Sequence, residues 1–424
     1  MKKVLMIACS FPPLGGPGVQ RSVKFVKYLR DFGYEPIVFT RECKNEDVMD
    51  ETLLKDIPDG VKVIRTKDHI YTNMSGVCKV PGKVVSRLMI PDYAAIWWKR
   101  ARRVIEKIVE EEKITLIYST SAPYSDHLLA LHLKRKYPYL KWVADFRDEW
   151  TQNPYLEEDR LYRFKISKER KMEAAVLNAA DAVIANTPIM RDHFVEGKKY
   201  LEKKFVVIPN GYDKEDFPEE LLQNRVRNEK MTLTYTGALY GRRKPDTFFE
   251  ALSSLITEGD IKKEKITVRL VGNYNQSQMN NKIKQYHLEG IVNIVGLLPH
   301  DECIKEQLAC DSLVLIEGNG KGAEAFYTGK LFEYMNTGKP ILALLPEKGV
   351  AAELVKESNV GLLADVDDVN AIKRNIMSFY EQWDKGGIEY QPVKKVVERY
   401  ERRKLTQQLA IIFDRISGKV ERNR

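Results

Sequence analysis

Long apolar runs are missing from this 424-residue chain, although 43% of its residues are hydrophobic. A bilayer-spanning helix needs about 20 apolar residues in a row, so no such span is expected. The run from Val4 to Cys9 is short and leads into Pro12-Pro13 and two glycines. It reads as a buried first strand rather than a secretory leader, and a cytoplasmic protein is expected. Cysteine is scarce: Cys9, Cys43, Cys78, Cys303 and Cys310 form no CxxC pair and no paired spacing. Reduced, mostly buried thiols follow, and the sequons at Asn73 and Asn275 mean little without a leader. Zinc-finger, RNP and helix-turn-helix patterns are also absent, so nucleic acid is not an expected partner. The net charge of +9 instead suits phosphorylated substrates or an anionic membrane surface.

What is present is alternation. Short apolar runs at 4–8, 36–40, 61–64, 115–118, 141–144 and 182–185 are separated by amphipathic stretches, among them 21–32, 123–137 and 168–178. That pattern predicts a parallel sheet covered by helices. It restarts after Pro209-Asn210-Gly211, with strands expected at 232–235, 266–271, 292–295, 312–315 and 340–343 and a helix at 247–256. Two α/β domains are therefore expected, 1–205 and 206–390, joined near 200–213. A single charged helix over about 391–424 closes the chain and is expected to pack back toward the first domain. Open parallel sheets take ligands at the carboxyl ends of their strands, so chemistry is sought in the loops there.

Four stretches qualify. The first, Phe11-Pro-Pro-Leu-Gly-Gly-Pro-Gly-Val-Gln-Arg21, lies between the first strand and helix. Its glycines, Gly15 and Gly16 included, let backbone amides approach a phosphate, or simply make the turn. Arg21 occupies the place of the third glycine of a dinucleotide fingerprint, and a Walker A loop is absent. The second, Thr236 to Asp246, places Arg242, Arg243 and Lys244 before a helix. This cluster suits a diphosphate, or is a solvated basic turn. The third runs from Ala323 to Ala343. Its Gly329-Lys330-Leu331 opens a helix whose first amides suit phosphate, and Glu333, one turn on, suits a pair of ribose hydroxyls. The fourth is Asp145-Phe-Arg-Asp-Glu-Trp150 at the end of an apolar strand. Charges there are costly unless paired or used. Either Asp145 and Asp148 form a salt-bridge knot with Arg147, or Asp148 and Arg147 face the reacting groups. His127, near a helix start, is either a structural hydrogen-bonder or a third catalytic group. Asp365-Val-Asp367 has the form of a divalent-metal motif, but helix capping by Asp367 or Asp368 explains it better, and no metal site is expected.

Together these pieces resemble the retaining GT-B glycosyltransferases of family 4. The resemblance rests on the Pro-Pro-x-Gly-Gly opening, Ile208-Pro-Asn-Gly-Tyr-Asp213, Thr236-Gly237, Val271-Gly272, Val295-Gly296, Gly329-Lys-Leu-Phe-Glu-Tyr-Met335 and Gly338-Lys-Pro340, in that order over nearly the whole chain. It implies two facing, doubly wound, Rossmann-like domains with a cleft between them. It also implies a nucleoside-diphosphate sugar as donor substrate without a further cofactor. Donor contacts would come from Glu333 to the ribose, Lys244 with Arg242 or Arg243 to the diphosphate, and Gly15 and Gly16 across the cleft. The sequence departs from the family at three places. Ala325 stands eight residues before Glu333, where a second glutamate is usual, and Glu324 lies one further back. Gly237-Ala238 replaces a Gly-Arg pair. Arg147 stands where a histidine is usual.

The expected reaction is transfer of a sugar to an acceptor hydroxyl; the resemblance implies retention at the anomeric carbon, and a front-face route is expected because no nucleophile–base pair is visible. Between Cys78 and Lys107, the cations Lys79, Lys83, Arg87, Lys99, Arg100, Arg102, Arg103 and Lys107 interleave with Met89, Ile90, Ile96, Trp97 and Trp98. That mixture suits an anionic bilayer and a carbohydrate or lipid-linked acceptor of cell-surface polysaccharide, or is a basic helix with core tryptophans. A sugar-nucleotide epimerase or hydrolase, and a binding protein without turnover, are the rival readings.

Overall fold

The computed structural model describes residues 1–43, 48–67, 89–153, 162–223 and 227–418. The strands in chain order are β1 (Lys2–Ile7), β2 (Tyr34–Arg41), β3 (Lys62–Thr66), β4 (Leu116–Ser121), β5 (Lys141–Phe146), β6 (Ala182–Ala185), β7 (Phe205–Val207), β8 (Met231–Thr236), β9 (Ile266–Val271), β10 (Val292–Gly296), β11 (Ser312–Ile316), β12 (Ile341–Leu345) and β13 (Gly361–Asp365). The helices are α1 (Pro17–Leu29), α2 (Ala95–Glu111), α3 (Ser125–Lys136), α4 (Tyr162–Ala179), α5 (Pro188–Val195), α6 (Glu219–Gln223), α7 (Asp246–Thr257), α8 (Gln276–Gln285), α9 (His300–Ala309), α10 (Gly329–Asn336), α11 (Val350–Ser358), α12 (Val369–Asp384), α13 (Lys394–Val397) and α14 (Arg402–Ile416). Two compact units result: Met1–Pro209 together with the segment from Arg402, and Asn210–Glu401.

The first unit is a parallel sheet in the order β3-β2-β1-β4-β5-β6-β7. Its strands are apolar on both faces because side chains alternate and both faces carry helices. Val4, Met6 and Val38 pack with Val23, Val26 and Leu29 of α1 and with Leu405, Leu409 and Phe413 of α14. Leu5, Ile7, Ile37 and Phe39 pack on the other face with Trp97 and Ile105 of α2, Leu129 and Leu133 of α3, and Val176 of α4. Each such side chain, fully buried, contributes roughly 1.5–3 kcal/mol.

The second unit repeats the plan in the order β10-β9-β8-β11-β12-β13. Leu233, Val314 and Leu342 meet α7 and α12, while Leu313, Leu315 and Ile341 meet α9, α10 and α11. Strand β13 was not expected from the sequence, since it is short and opens on Gly361. That glycine is demanded by packing: a Cβ there would stand 1.9 Å from the Ile341 carbonyl oxygen on β12.

One expectation is corrected. The single closing helix is broken into α13, a 3-10 turn at Glu398–Tyr400, and α14, with Glu401 in extended conformation between them. The break lets the two halves serve different cores. Val396 and Val397 belong to the second unit, whereas Leu405, Leu409, Ile412 and Phe413 form an apolar stripe in the first. Of the two readings of the tryptophan segment, the structure supports the basic helix with core tryptophans. Trp97 is buried and its indole donates to Thr66 Oγ1 at 2.9 Å, and Trp98 is half-buried and packs against the same core. Neither is presented for membrane insertion; Lys99, Arg100, Arg103 and Lys107 are the exposed residues of α2's basic set. Lys79, Lys83 and Arg87 lie outside the described residues. No described helix is long and apolar enough to cross a membrane.

One ion pair runs through the first unit. Arg21 and Asp145 are both fully buried, and the guanidinium grips the carboxylate with two bonds of 2.8 Å. Tyr118 and Thr120 donate to the same carboxylate at 2.5 and 3.1 Å, and Arg21 also donates to the Ile208 and Pro209 carbonyls. Burial pushes the Asp145 carboxyl up, but Arg21 and then the Tyr118 bond hold it below the usual carboxylate range. A carboxyl whose folded pKa is depressed contributes stability above its unfolded value, and loses it as pH falls through the folded value. Asp145→Asn is expected to destabilise the unit by about 3–5 kcal/mol, since it leaves a buried guanidinium uncompensated. Urea melts at pH 7 check this, and the wild-type advantage should shrink in melts run at progressively lower pH.

Candidate functional site

The strand order reverses between β1 and β4 in the first unit and between β8 and β11 in the second. Crevices that take ligands form at the carboxyl ends of the strands at such points. Each unit brings its motifs there.

In the first unit, the chain after β1 turns through Gly15 and Gly16. The Gly15 amide donates to the Val48 carbonyl at 2.8 Å, and a Cβ on Gly15 would stand 3.1 Å from Asp50 Cβ. Gly16 is exposed and has a φ of 110°, a conformation that side chains oppose, and it caps α1. Gly18 gives way to Arg147, whose Nη1 would lie 2.3 Å from a Cβ at that position. Arg147 donates from Nε to the Ser121 carbonyl at 2.6 Å, and from its two terminal nitrogens to the Gly18 and Ala122 carbonyls. Its geometry is that of a clamp joining the end of β4, the end of β5 and the glycine loop. The expected knot of Asp145 with Arg147 is replaced by the pairing with Arg21. Asp148 stands half-buried beside Arg147.

His127 is fully buried on α3. Its Nδ1 lies 2.8 Å from Ser119 Oγ and its ring packs 4.3 Å from that of Phe146, while Nε2 has no hydrogen-bond partner. Burial lowers its pKa to about 3, so the imidazole is neutral at pH 7. A side chain that reaches no solvent acts here through Ser119, which also accepts from the Trp142 indole at 2.9 Å. Its neighbour Asp126, which the sequence reading passed over, is buried at the same strand end. One of its oxygens accepts from the Cys9 amide at 2.8 Å and the other has no partner. Burial pushes this carboxyl well up.

In the second unit, α10 starts at Gly329 after Thr328, which is extended and makes no side-chain cap. Leu331 and Phe332 are fully buried in the apolar cluster, so Leu331 serves packing, and its amide donates to the Thr328 carbonyl at 3.2 Å. Lys330 and Glu333, three apart, share the opposite face. Tyr334 anchors the helix: its hydroxyl accepts from the Thr236 amide at 2.8 Å, at the very end of β8. Glu333 is held by His300 Nε2 at 3.0 Å and by Gln307 Nε2 at 3.3 Å. Gln307 is fully buried and its own amide oxygen has no partner.

The three cations of the 242–244 cluster are separated by the fold. Arg243 pairs with Glu317, at the end of β11, at 2.6 Å. Burial lowers and Glu317 raises its pKa, which ends above the ordinary value. Arg242 donates to the Lys321 carbonyl at 2.9 Å and fills the space left by two glycines; a Cβ on Gly318 would come 2.3 Å from Arg242 Cβ, and one on Gly320 2.8 Å from its Nη1. Lys244 is exposed. Asp365 and Asp367 do act locally: Asp365 accepts from the Asp367 and Glu347 amides, Asp367 from Asn319, and Asp368 caps α12 through the Ala371 amide at 2.9 Å.

The sequence reading missed Glu317, His300 and Gln307. Glu317 carried a signal, a charge at the end of an apolar strand, the same that marked Asp145. His300 and Gln307 lie at two turns of an unremarked helix and become visible only when α9 is laid beside α10.

Residues 18–216 match the model of Glycosyltransferase Family 4, and residues 216–391 match that of Glycosyl transferases group 1. No curated protein sequence matches the chain. Among solved structures, it is similar to the sucrose-phosphate synthase of Thermosynechococcus elongatus, with 15% identity, 99% of this chain and 100% of that chain covered and a TM-score of 0.62. It is similar to WaaG, a glycosyltransferase involved in lipopolysaccharide biosynthesis, at 15% identity, 98% and 100% coverage and a TM-score of 0.62. A putative UDP-N-acetylglucosamine 2-epimerase from Listeria monocytogenes is similar at 12% identity, 100% and 99% coverage and a TM-score of 0.57. Structural likeness at such identities speaks for the fold, whereas the two family models cover consecutive stretches from Gly18 to Gln391; the chain belongs to the group 1 glycosyltransferases, with the paired Rossmann-like sheets of the GT-B fold.

Proposed function

We propose that this chain moves a sugar from a nucleoside-diphosphate sugar to an acceptor hydroxyl, with retention at the anomeric carbon and without a metal. The observation that carries this reading is Glu333, held by His300 and Gln307 at the strand-order reversal of the second unit with its helix start and Arg243 close by in the fold. A carboxylate oriented by two fixed donors is ready to accept from a ribose diol. Arg243 and the opening amides of α10 offer positive charge where the diphosphate leaves, and such preorganised groups stabilise developing negative charge without reorganising. The first unit takes the acceptor, with Asp148 facing it and Arg147 and His127 shaping the framework. Transfer is front-face, with the departing phosphate oxygen taking the acceptor proton. Similarity to WaaG supports an acceptor of the cell-surface polysaccharide or glycolipid class.

The donor site is tested by thermal shift with UDP, GDP, ADP and CMP. The matching nucleotide at 100 times its dissociation constant should stabilise the protein by about 2.7 kcal/mol. Glu333→Ala should weaken that nucleotide by about 1.5–3 kcal/mol, the value of a hydrogen bond to a charged group. Arg243→Ala should lower kcat by about 10²–10³. Chelation of divalent metals should leave turnover unchanged. Product analysis separates transfer from the epimerase chemistry of structural neighbours: a new glycoside supports the proposal, and an inverted sugar nucleotide overturns it.

A lipid-linked acceptor would bring the exposed cations of α2 to an anionic surface, at about 1 kcal/mol per nearby Lys or Arg. Co-sedimentation with vesicles of anionic lipid should therefore be lost at high salt and reduced in a Lys99→Glu, Arg103→Glu variant. Binding unchanged by both would remove the membrane from the proposal.

A further inference from the structure

The stretch Ile208-Pro-Asn-Gly-Tyr-Asp213 does more than turn the chain into the second unit. Asp213 caps the short turn Lys214–Asp216 through the Glu215 amide at 3.1 Å. The Tyr212 amide donates to the Tyr400 carbonyl at 3.0 Å, and the residue is only 2% exposed. Yet its hydroxyl makes no hydrogen bond among the described residues. A buried phenol left in this way is uncommon, because its lost hydration goes uncompensated.

Tyr212 lines a cavity of about 450 Å³, inside the range of roughly 300–1,000 Å³ for small-molecule sites. The cavity belongs to the second unit and lies at the end of α10 away from Gly329, whereas Glu333 is held on the side of α9. Met335, Pro392 and Val397 give it an apolar wall, together with the half-buried ring of Tyr390. The Tyr390 hydroxyl donates to the Met335 carbonyl at 3.0 Å. Three donors are left over: the Tyr212 hydroxyl, the side-chain amide of Asn336 and the Lys394 ammonium have no partner among the described residues.

Charge decides between ligand classes. Lys214 at the rim pairs with Glu401 at 3.3 Å, and Glu398 lines the same space as Lys394, four residues before it. Two cations set against two carboxylates give no net field to draw in an ion. The lining suits a neutral molecule that is apolar on one face and carries several hydroxyls, since hydroxyls both accept from Tyr212, Asn336 and Lys394 and donate to Glu398. A sugar ring has this make-up, with C–H groups on its faces and hydroxyls around its edge.

We propose that this cavity is a second carbohydrate site, separate from the donor site, and that the Tyr212 hydroxyl is its fixed hydrogen-bonding group. The proposal does not depend on the role given to Glu333. Its occupant is either a free sugar or one residue of a glycan chain.

The test is saturation-transfer NMR of the full-length protein with methyl α-glucoside, methyl N-acetyl-β-glucosaminide, maltotriose and chitotriose, with glucuronate and glucosamine as charged controls. A neutral sugar should bind in the millimolar range, more tightly than either control, and saturating UDP, GDP or ADP should leave its signal in place. Tighter binding of a trisaccharide than of its monosaccharide supports a glycan chain as occupant, and equal binding supports a free sugar. Tyr212→Phe should weaken the sugar by about two- to tenfold, the value of one neutral hydrogen bond, yet melt at or above the wild-type temperature. Asn336→Trp, which fills the cavity, should abolish binding in a protein that still melts cooperatively. Failure of every neutral sugar to bind overturns the proposal. So does displacement by a nucleotide, since the sugar would then lie in the donor site, and so does binding unchanged in both variants. A Tyr212→Phe protein that melts lower also overturns it, because the hydroxyl would then hold the fold and not a ligand. Sugar binding by a protein that takes up no nucleotide upholds the second site and removes the donor reading alone.

Discussion

The pair between Arg21 and Asp145 joins parts of the first unit that are far apart in sequence. Arg21 stands on α1, just beyond the glycine loop; Asp145 ends β5; the Ile208 and Pro209 carbonyls mark the point where the chain leaves the unit. A buried guanidinium has five donors to satisfy, and here four of its bonds are made to groups brought together only by the sheet. The strand-order reversal therefore has a fixed wall. Arg147 can then lie across Gly18 and bind the Ser121 and Ala122 carbonyls, since both ends of its span are already held. Without that constraint, the charges at the end of β5 would be an uncompensated cost in an apolar sheet.

The second unit solves the same problem with different groups. Its reversal point is fixed by Tyr334, which reaches from α10 to the Thr236 amide, and by Tyr274, whose hydroxyl donates to the Gly237 carbonyl at 2.7 Å. Neutral phenols hold the backbone here, which leaves the charged groups for other work. Arg243 is matched by Glu317, Glu333 is matched by His300, and Lys330 is left with a phenol. The contrast explains why one unit has its charges locked in a knot while the other has an ammonium with no carboxylate in ion-pair distance among the described residues.

Much of the fold was legible in the sequence because hydrophobic periodicity is a local property. Strands β1, β5 and β8 announce themselves by apolar runs that lead into proline, charge and glycine respectively, and the restart of the pattern after Pro209 follows from the same rule. Strand β13 was not legible, because a glycine that must admit the Ile341 carbonyl carries no apolar signal of its own. Nor was the break at Glu401 legible, since Val396 to Phe413 has helical periodicity on either side and only the separate cores it serves require the interruption.

The sequence by itself determined that two parallel α/β units follow one another, since residue type and order fix the alternation of strands and helices, and it marked the stretches after β1, after β8 and at the start of α10 as the places to look for a ligand. The tertiary structure decided which charges are spent. Asp145 pairs with Arg21 and not with its neighbour Arg147, Arg242 is packed against glycines while Arg243 meets Glu317, and Lys330 turns inward to Tyr235. Each of these partnerships joins residues between 74 and 124 positions apart. Electrostatic compensation depends on distance in space and on burial, and neither quantity is written in the local order of the chain.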